Sequence, residues 1–205
     1  MKYHFGNVNR VATINFDFEI EPDKLLKKLE KIKWTTPPRS LRSFCKLEPK
    51  DRHLKKILNL VKSQKFRLAV LKHLYSLDHK LGEIYGQGGN RDLQWLWNGQ
   101  DFETMDQLCG YDAYFVKDKP GYTTELHIDR LGHPFVGIIY LNQTNSDFQT
   151  YFYSSKDRTD PFCVEHAYGK GWLQANHVNT WHEGKNASMT LTRYSILFNW
   201  GLTPK

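Results

Sequence analysis

Thr123-Thr124-Glu125-Leu126-His127-Ile128-Asp129 reads as a short strand that ends in a histidine and an aspartate two positions apart. Residues i and i+2 of a strand share a face, so an imidazole and a carboxylate placed this way can grip one metal ion from the same side. A third ligand must then arrive from elsewhere, and His182 can supply it. Two histidines and one carboxylate form the facial set that leaves open positions on a non-haem Fe(II) ion. Eleven residues after His182 comes Arg193, in the run Thr192-Arg193-Tyr194-Ser195-Ile196-Leu197-Phe198-Asn199-Trp200. An arginine inside an otherwise apolar strand needs an anionic partner, either a protein carboxylate or a bound dicarboxylate. Taken alone, His-x-Asp is a common surface pair, and the distal histidine and arginine are what give it weight.

Around these residues the second half of the chain alternates short strands with turns. Strands are expected over Tyr111 to Val116, Thr123 to Asp129, Val136 to Asn142, Gln149 to Tyr153, Cys163 to Tyr168, Trp172 to Asn176, Thr180 to Glu183 and Thr190 to Trp200. About eight strands at such close spacing argue for a sandwich or a barrel, and nothing in this half reads as a helix. The first half has a different texture. Ile14, Phe16 and Phe18 alternate with Asn15, Asp17 and Glu19 in a half-buried strand, and Pro22-Asp23 opens a helix through about Ile32. A second helix is predicted from Asp51 to Ser63 on the stripe Leu54, Ile57, Leu58 and Val61, and a third from Phe66 to Tyr85. Residues 86 to 110 begin with Gly86-Gln87-Gly88-Gly89-Asn90 and carry Trp95, Trp97 and Phe102. They suit a substrate-covering loop or, as the more ordinary use of aromatics, packing of the helical layer onto the barrel. The glycine run lacks the lysine-serine ending of a phosphate loop.

Several pieces of the chain, in order, resemble the Fe(II)- and 2-oxoglutarate-dependent oxygenases, in particular the branch that contains the prolyl hydroxylases. They are Lys119-Pro120-Gly121-Tyr122, His127-Ile128-Asp129, Gly137-Ile138-Ile139-Tyr140-Leu141-Asn142, His182 and Thr192-Arg193-Tyr194. The resemblance covers roughly the last half and implies an α+β chain: a double-stranded β-helix, or cupin-like jelly-roll barrel, with an N-terminal helical support layer. It implies one domain over residues 1–205, with 1–110 as support and loop and 111–205 as the β-helix core carrying the iron site. His127, Asp129 and His182 would be the metal ligands. His177 competes for the third place, but the family spacing of about ten or eleven residues to the basic residue fits His182, and His177 exceeds it by five. Arg193 would receive the far carboxylate of 2-oxoglutarate as a two-pronged ion pair, helped by Tyr140, by Ser195, or by both. Tyr114 and Tyr122 are weaker candidates for the pocket wall, with packing the ordinary role. The implied co-substrates are 2-oxoglutarate and dioxygen.

The resemblance also bears on substrate. Nucleic-acid dealkylases of this family usually carry a second arginine shortly after the clamp, and Tyr194 to Trp200 offers none. Nucleic acid is therefore disfavoured, and a peptidyl proline on a protein leads over a free amino acid or other small molecule. A non-enzymatic cupin-like metal-binding module has no need of Arg193, Ser195 and Tyr140 together. Zinc hydrolysis would need a general base that the sequence does not offer.

Composition sets the outer bounds. A chain of 205 residues, 40% hydrophobic, can fill one core. No apolar run reaches the length of a membrane span, and the start has no signal-peptide core, so a cytoplasmic protein away from membranes is expected. Cys45, Cys109 and Cys163 are far apart and suggest neither disulfides nor a zinc clip. The sequons at Asn142 and Asn186 are then accidental. The net charge of +7 is spread over helix faces rather than gathered in one run, which favours solvated surface over a phosphate-binding face.

Overall fold

The computed structural model describes residues 1–9, 11–46, 48–79, 91–129, 133–143, 145–177, 180–188 and 190–202. Its strands are β1 (Lys2–Val8), β2 (Val11–Asp17), β3 (Arg42–Cys45), β4 (Cys109–Asp118), β5 (Phe135–Tyr140), β6 (Phe148–Tyr153), β7 (Phe162–Glu165), β8 (Lys170–Ala175), β9 (Trp181–Asn186) and β10 (Arg193–Leu202). Its helices are α1 (Pro22–Leu29), α2 (Arg52–Lys62), α3 (Gln64–Ser76), α4 (Arg91–Asn98) and α5 (Phe102–Leu108). The strands form a seven-stranded sheet in the order β1-β2-β8-β5-β10-β4-β3 and a three-stranded sheet in the order β7-β6-β9. Every pairing is antiparallel.

Period-two alternation divides the large sheet between two cores. Phe135 and Ile139 of β5, Leu173 of β8, and Ile196, Phe198 and Trp200 of β10 face the helices. Val136 and Tyr140 of β5 and Trp172 of β8 face the small sheet and meet Phe152 and Val164. A strand buried on both faces has no polar side, which explains the unbroken run Phe-Val-Gly-Ile-Ile-Tyr of β5. Gly137 is required there, because a Cβ would stand 2.3 Å from the Phe198 ring. Helix α2 buries the predicted stripe, Leu54, Ile57, Leu58 and Val61, and starts where the Asp51 side chain accepts hydrogen bonds from the amides of His53 and Leu54. The lysines Lys24 and Lys27 of α1 lie on its wet face. A buried polar joint ties helices to barrel: Arg67 of α3 pairs with Asp106 of α5 at 2.8 Å, and Asp106 accepts from the indole of Trp200 at 3.0 Å.

The fold corrects three expectations and leaves one outside the described residues. The strand expected around Ile14, Phe16 and Phe18 is β2, and the first half is more than helical support, because β1 and β3 are added to it at the two edges of the large sheet. Residues 91–108 form two helices rather than an irregular cover. There Trp97 is buried against Tyr75, Phe102 and Phe135, whereas Trp95 is 80% exposed. The glycine run 86–90 lies outside the described residues, and so does the end of the predicted third helix, whose regular part stops at Ser76. Finally, residues 123–129 do not form a continuous strand. Isolated bridges join Thr123 to Lys185 and His127 to His182. Between them the Thr124 hydroxyl takes over part of the ladder, accepting from the Gly184 amide at 2.6 Å and donating to the Gly184 carbonyl at 3.2 Å. Among the described residues, no helix is long and apolar enough to cross a membrane.

Candidate metal centre

The bridge between His127 and His182 sets two imidazoles side by side at the mouth of the barrel. The backbones exchange hydrogen bonds of 3.0 and 2.8 Å, and the ring centroids lie 4.4 Å apart. Asp129, two residues on, turns its carboxylate toward both. Its oxygens stand 3.8 Å from His127 Nε2 and 3.7 Å from His182 Nε2. One ligand atom from each of the three residues lies within 4.8 Å of the others, and among the described residues this is the one such group of three. His177 and His133 are not part of it, so the structure places His182, not its competitor, beside the pair.

The orientation of the rings suits a metal. Nδ1 of His127 donates to the Glu125 carbonyl at 2.7 Å and Nδ1 of His182 donates to the Thr180 carbonyl at 3.1 Å. With the proton held on Nδ1, the Nε2 lone pair of each ring points at the Asp129 side and is available as a ligand. Burial lowers the pKa of His182, helped by the neighbouring His127 and opposed by Asp129, which keeps the ring neutral. The donor set of two neutral imidazoles and one carboxylate therefore fits a divalent first-row ion such as Fe(II). Gln174 of β8, buried beside the group, donates to Asp129 Oδ2 at 3.2 Å. Replacing it with leucine, which keeps the bulk and removes the donor, should weaken Fe(II) binding about tenfold. Competition with a chelator would measure this, and unchanged affinity would show that Asp129 needs no such restraint.

Arg193 opens β10 and is buried, but its guanidinium does not stand free. Its Nε and Nη2 donate to Asp118 Oδ2 at 3.0 and 2.7 Å, and Nη1 donates to the Lys185 carbonyl at 3.2 Å. Asp118 is opposite Arg193 in register and is also held by Arg42, at 2.6 and 2.9 Å. Of the two anionic partners expected for Arg193, the structure shows the protein carboxylate, and the cluster of two guanidinium groups and one carboxylate stays one positive charge in excess. Beside it, β9 carries a glycine where the inward face is due a side chain. A Cβ on Gly184 would lie 3.7 and 4.0 Å from the terminal nitrogens of Arg193. Gly184 is two residues beyond His182, on the same face, and the place its side chain would take is met first by the Thr124 hydroxyl, 3.1 Å from a Cβ there.

Tyr140 and Ser195 are paired in register and both are buried. The Tyr140 hydroxyl meets the Thr150 hydroxyl at 2.7 Å and accepts from the Trp172 indole at 3.1 Å. Tyr114 and Tyr122 take packing roles: Tyr114 meets Phe44 edge-on, and Tyr122 lies under the Arg42 guanidinium at 4.3 Å. Sequence reasoning missed Asp118, Arg42, Gln174 and Thr150. The second of the two acidic residues of β4, at its very end, was a usable signal for Asp118. Arg42 had none, since it sits on a four-residue strand.

No protein-family model and no curated protein matches the sequence. Solved structures do match the fold. A prolyl-4-hydroxylase from Pseudomonas putida superposes with a TM-score of 0.56 at 14% identity, covering 90% of this chain and 89% of that one. An oxidoreductase of the 2OG-Fe(II) oxygenase family from Burkholderia pseudomallei superposes with a TM-score of 0.50 at 13% identity, covering 89% and 78%. At such identities the likeness is one of architecture, and the chain is accordingly an α+β protein built on the double-stranded β-helix that these oxygenases share.

Proposed function

We propose that the protein is an Fe(II)- and 2-oxoglutarate-dependent dioxygenase that hydroxylates an unactivated C–H bond. The observation that carries this reading is the geometry of His127, Asp129 and His182, two Nε2 atoms and one carboxylate converging at the barrel mouth. Those three residues would hold the iron, and Arg193, in a cluster with one positive charge in excess, would hold the far carboxylate of 2-oxoglutarate. When bound, iron and 2-oxoglutarate supply the oxidation: dioxygen places one atom in succinate, with release of carbon dioxide, and the other in the substrate. The chain's own part is positional. The carbonyls of Glu125 and Thr180 fix the two rings, Gln174 steadies the carboxylate, and Phe152 and Trp172 line the His182 side of the barrel and keep water out.

For the substrate we put a peptidyl proline first, because the likeness extends to a prolyl-4-hydroxylase over nearly its whole length. A free amino acid or other small molecule is the second reading. Anaerobic titration with Fe(II) and 2-oxoglutarate tests the proposal through the weak visible charge-transfer band of the chelate. The band is expected in the wild type and weaker in Arg193→Ala, which leaves Asp118 its one-to-one partner Arg42 and so keeps the barrel closed. Iron binding without a band in folded wild-type protein would leave a non-enzymatic metal-binding module as the better account. Succinate release with peptides or with free amino acids then separates the two substrate classes.

A further inference from the structure

Lys24, Lys27 and Lys28 of α1 and Lys31 just after it line one hollow of about 600 Å³ together with His53 of α2. Their spacing of three and four residues is what sets them on one side of the helix. A second hollow, of about 560 Å³, shares Lys28 and Lys31 with the first and adds Lys33 and Lys50. A third, of about 210 Å³, shares Glu19 and His53 with the first and adds Arg52. The three adjoin as one groove along α1 and the start of α2. Its walls hold eight cationic side chains against four carboxylates, a surplus of four in a chain whose net charge is +7. Charge that looks spread along the sequence is gathered here by the fold.

Three of the four carboxylates are already committed. Asp51 pairs with Lys28 at 2.5 Å and caps α2, Glu19 pairs with Lys56 at 3.3 Å, and Glu48 pairs with Lys55 at 3.0 Å. Lys24, Lys27, Lys31, Lys33, Lys50 and Arg52 are exposed and have no ion-pair partner among the described residues. Six such cations around one concavity raise its potential and draw in an anion. Between the charges the groove is apolar, with Ile20 and Ile32 half-buried and Pro49 buried. Phe18 is buried, so of the rings lining the groove only the His53 imidazole offers a face, short of the aromatic row on which a single nucleic-acid strand stacks its bases. We propose that the groove docks an extended, acidic segment of a partner protein, its carboxylates meeting the lysines and its apolar side chains meeting Ile20 and Ile32. Lys24 to Lys28 rises about 6 Å along the helix, close to the roughly 7 Å between alternate residues of an extended chain. None of these residues belongs to the metal centre, and the inference does not depend on the oxygenase reading.

Fluorescence anisotropy with the full chain tests this without metal. The probe is a labelled peptide that alternates glutamate with valine, and its control carries glutamine at every glutamate. One variant combines Lys24→Glu, Lys27→Glu and Lys31→Glu. The other combines Lys65→Glu, Lys72→Glu and Lys156→Glu, exposed positions that line none of the three hollows, so both lose the same charge. Wild type is expected to bind the glutamate peptide, more weakly as salt rises. The groove variant should lose about 10-fold or more in affinity and the other variant less than about threefold, with melting temperatures near that of wild type. If the charge reversals do not fold, Lys24→Gln, Lys27→Gln and Lys31→Gln together give the same comparison with a smaller loss. Equal losses in the two variants overturn the groove in favour of net charge alone, and equal binding of the glutamine peptide overturns the role of the carboxylates. Single-stranded RNA or phosphatidylserine vesicles bound more tightly than the peptide, and released by the groove variant alone, assign the groove to that partner and overturn the proposal. A wild type that leaves the glutamate peptide unbound at low salt overturns it as well.

Discussion

Replacing Asp118 with alanine will cost the protein about 3–5 kcal/mol of stability, the range for leaving buried charges without their partner. Asp118 is fully buried and is the shared anion of Arg42 and Arg193. Without it two guanidinium groups confront each other inside the sheet. Burial alone would raise the Asp118 pKa, but the charges and hydrogen bonds of Arg42 and Arg193 outweigh burial and hold it below the ordinary 3.8. A carboxyl with a lowered folded-state pKa contributes stability that is fully present above its unfolded value and is lost as pH falls through the folded value. Wild type should therefore weaken steeply as pH drops below 3.8, and Asp118→Ala, already without the contribution, should show a shallower acid limb. Urea unfolding at neutral and acid pH measures both. A loss under about 1 kcal/mol, the size of an exposed ion pair, would mean that the cluster is solvated and not buried.

On the proposed function, Asp129→Ala should remove Fe(II) binding and all 2-oxoglutarate turnover. Losing a hydrogen-bond partner of a metal ligand costs about 10- to 100-fold in affinity, so losing the ligand itself should exceed about 100-fold. Asp129 also brings the only negative charge among the three ligands and stands between the two imidazoles, under 4 Å from each. Its removal leaves two neutral rings with no anion to offset the ion. Calorimetric Fe(II) titration together with succinate production would show the effect. Iron affinity near that of the wild type would place the metal elsewhere and dismiss the facial set.

What can be read from the sequence follows the strength of the local pattern. The stripe of α2 and the alternation of β2 are legible because burial follows the period of each element. β1 escapes because its half-exposed edge residues, Lys2 to Val8, lack a clean alternation. β3 is four residues long, too short to show a period. The candidate metal ligands are legible as residue types at a spacing, whereas the partners of Arg193 are not. Asp118 lies 75 positions away and meets it only because the register of β4 against β10 brings them opposite. Residues 123–129 resemble a strand because Thr and Leu favour one, while in fact the Thr124 hydroxyl takes the Gly184 amide and only the Thr124 amide keeps a backbone bond there.

That last substitution has a topological consequence. The segment bearing His127 and Asp129 is tethered to β9 by two separate bridges, while His182 belongs to a regular strand of the small sheet. An ion shared among the three closes a ring of roughly 55 residues, much as a disulfide would, and withdraws that loop's freedom from the unfolded chain. Unlike a disulfide, this clasp can be undone by a chelator or by oxidation of the metal. An ion bound there would thus double as a removable fastening, added to the backbone bridge between His127 and His182.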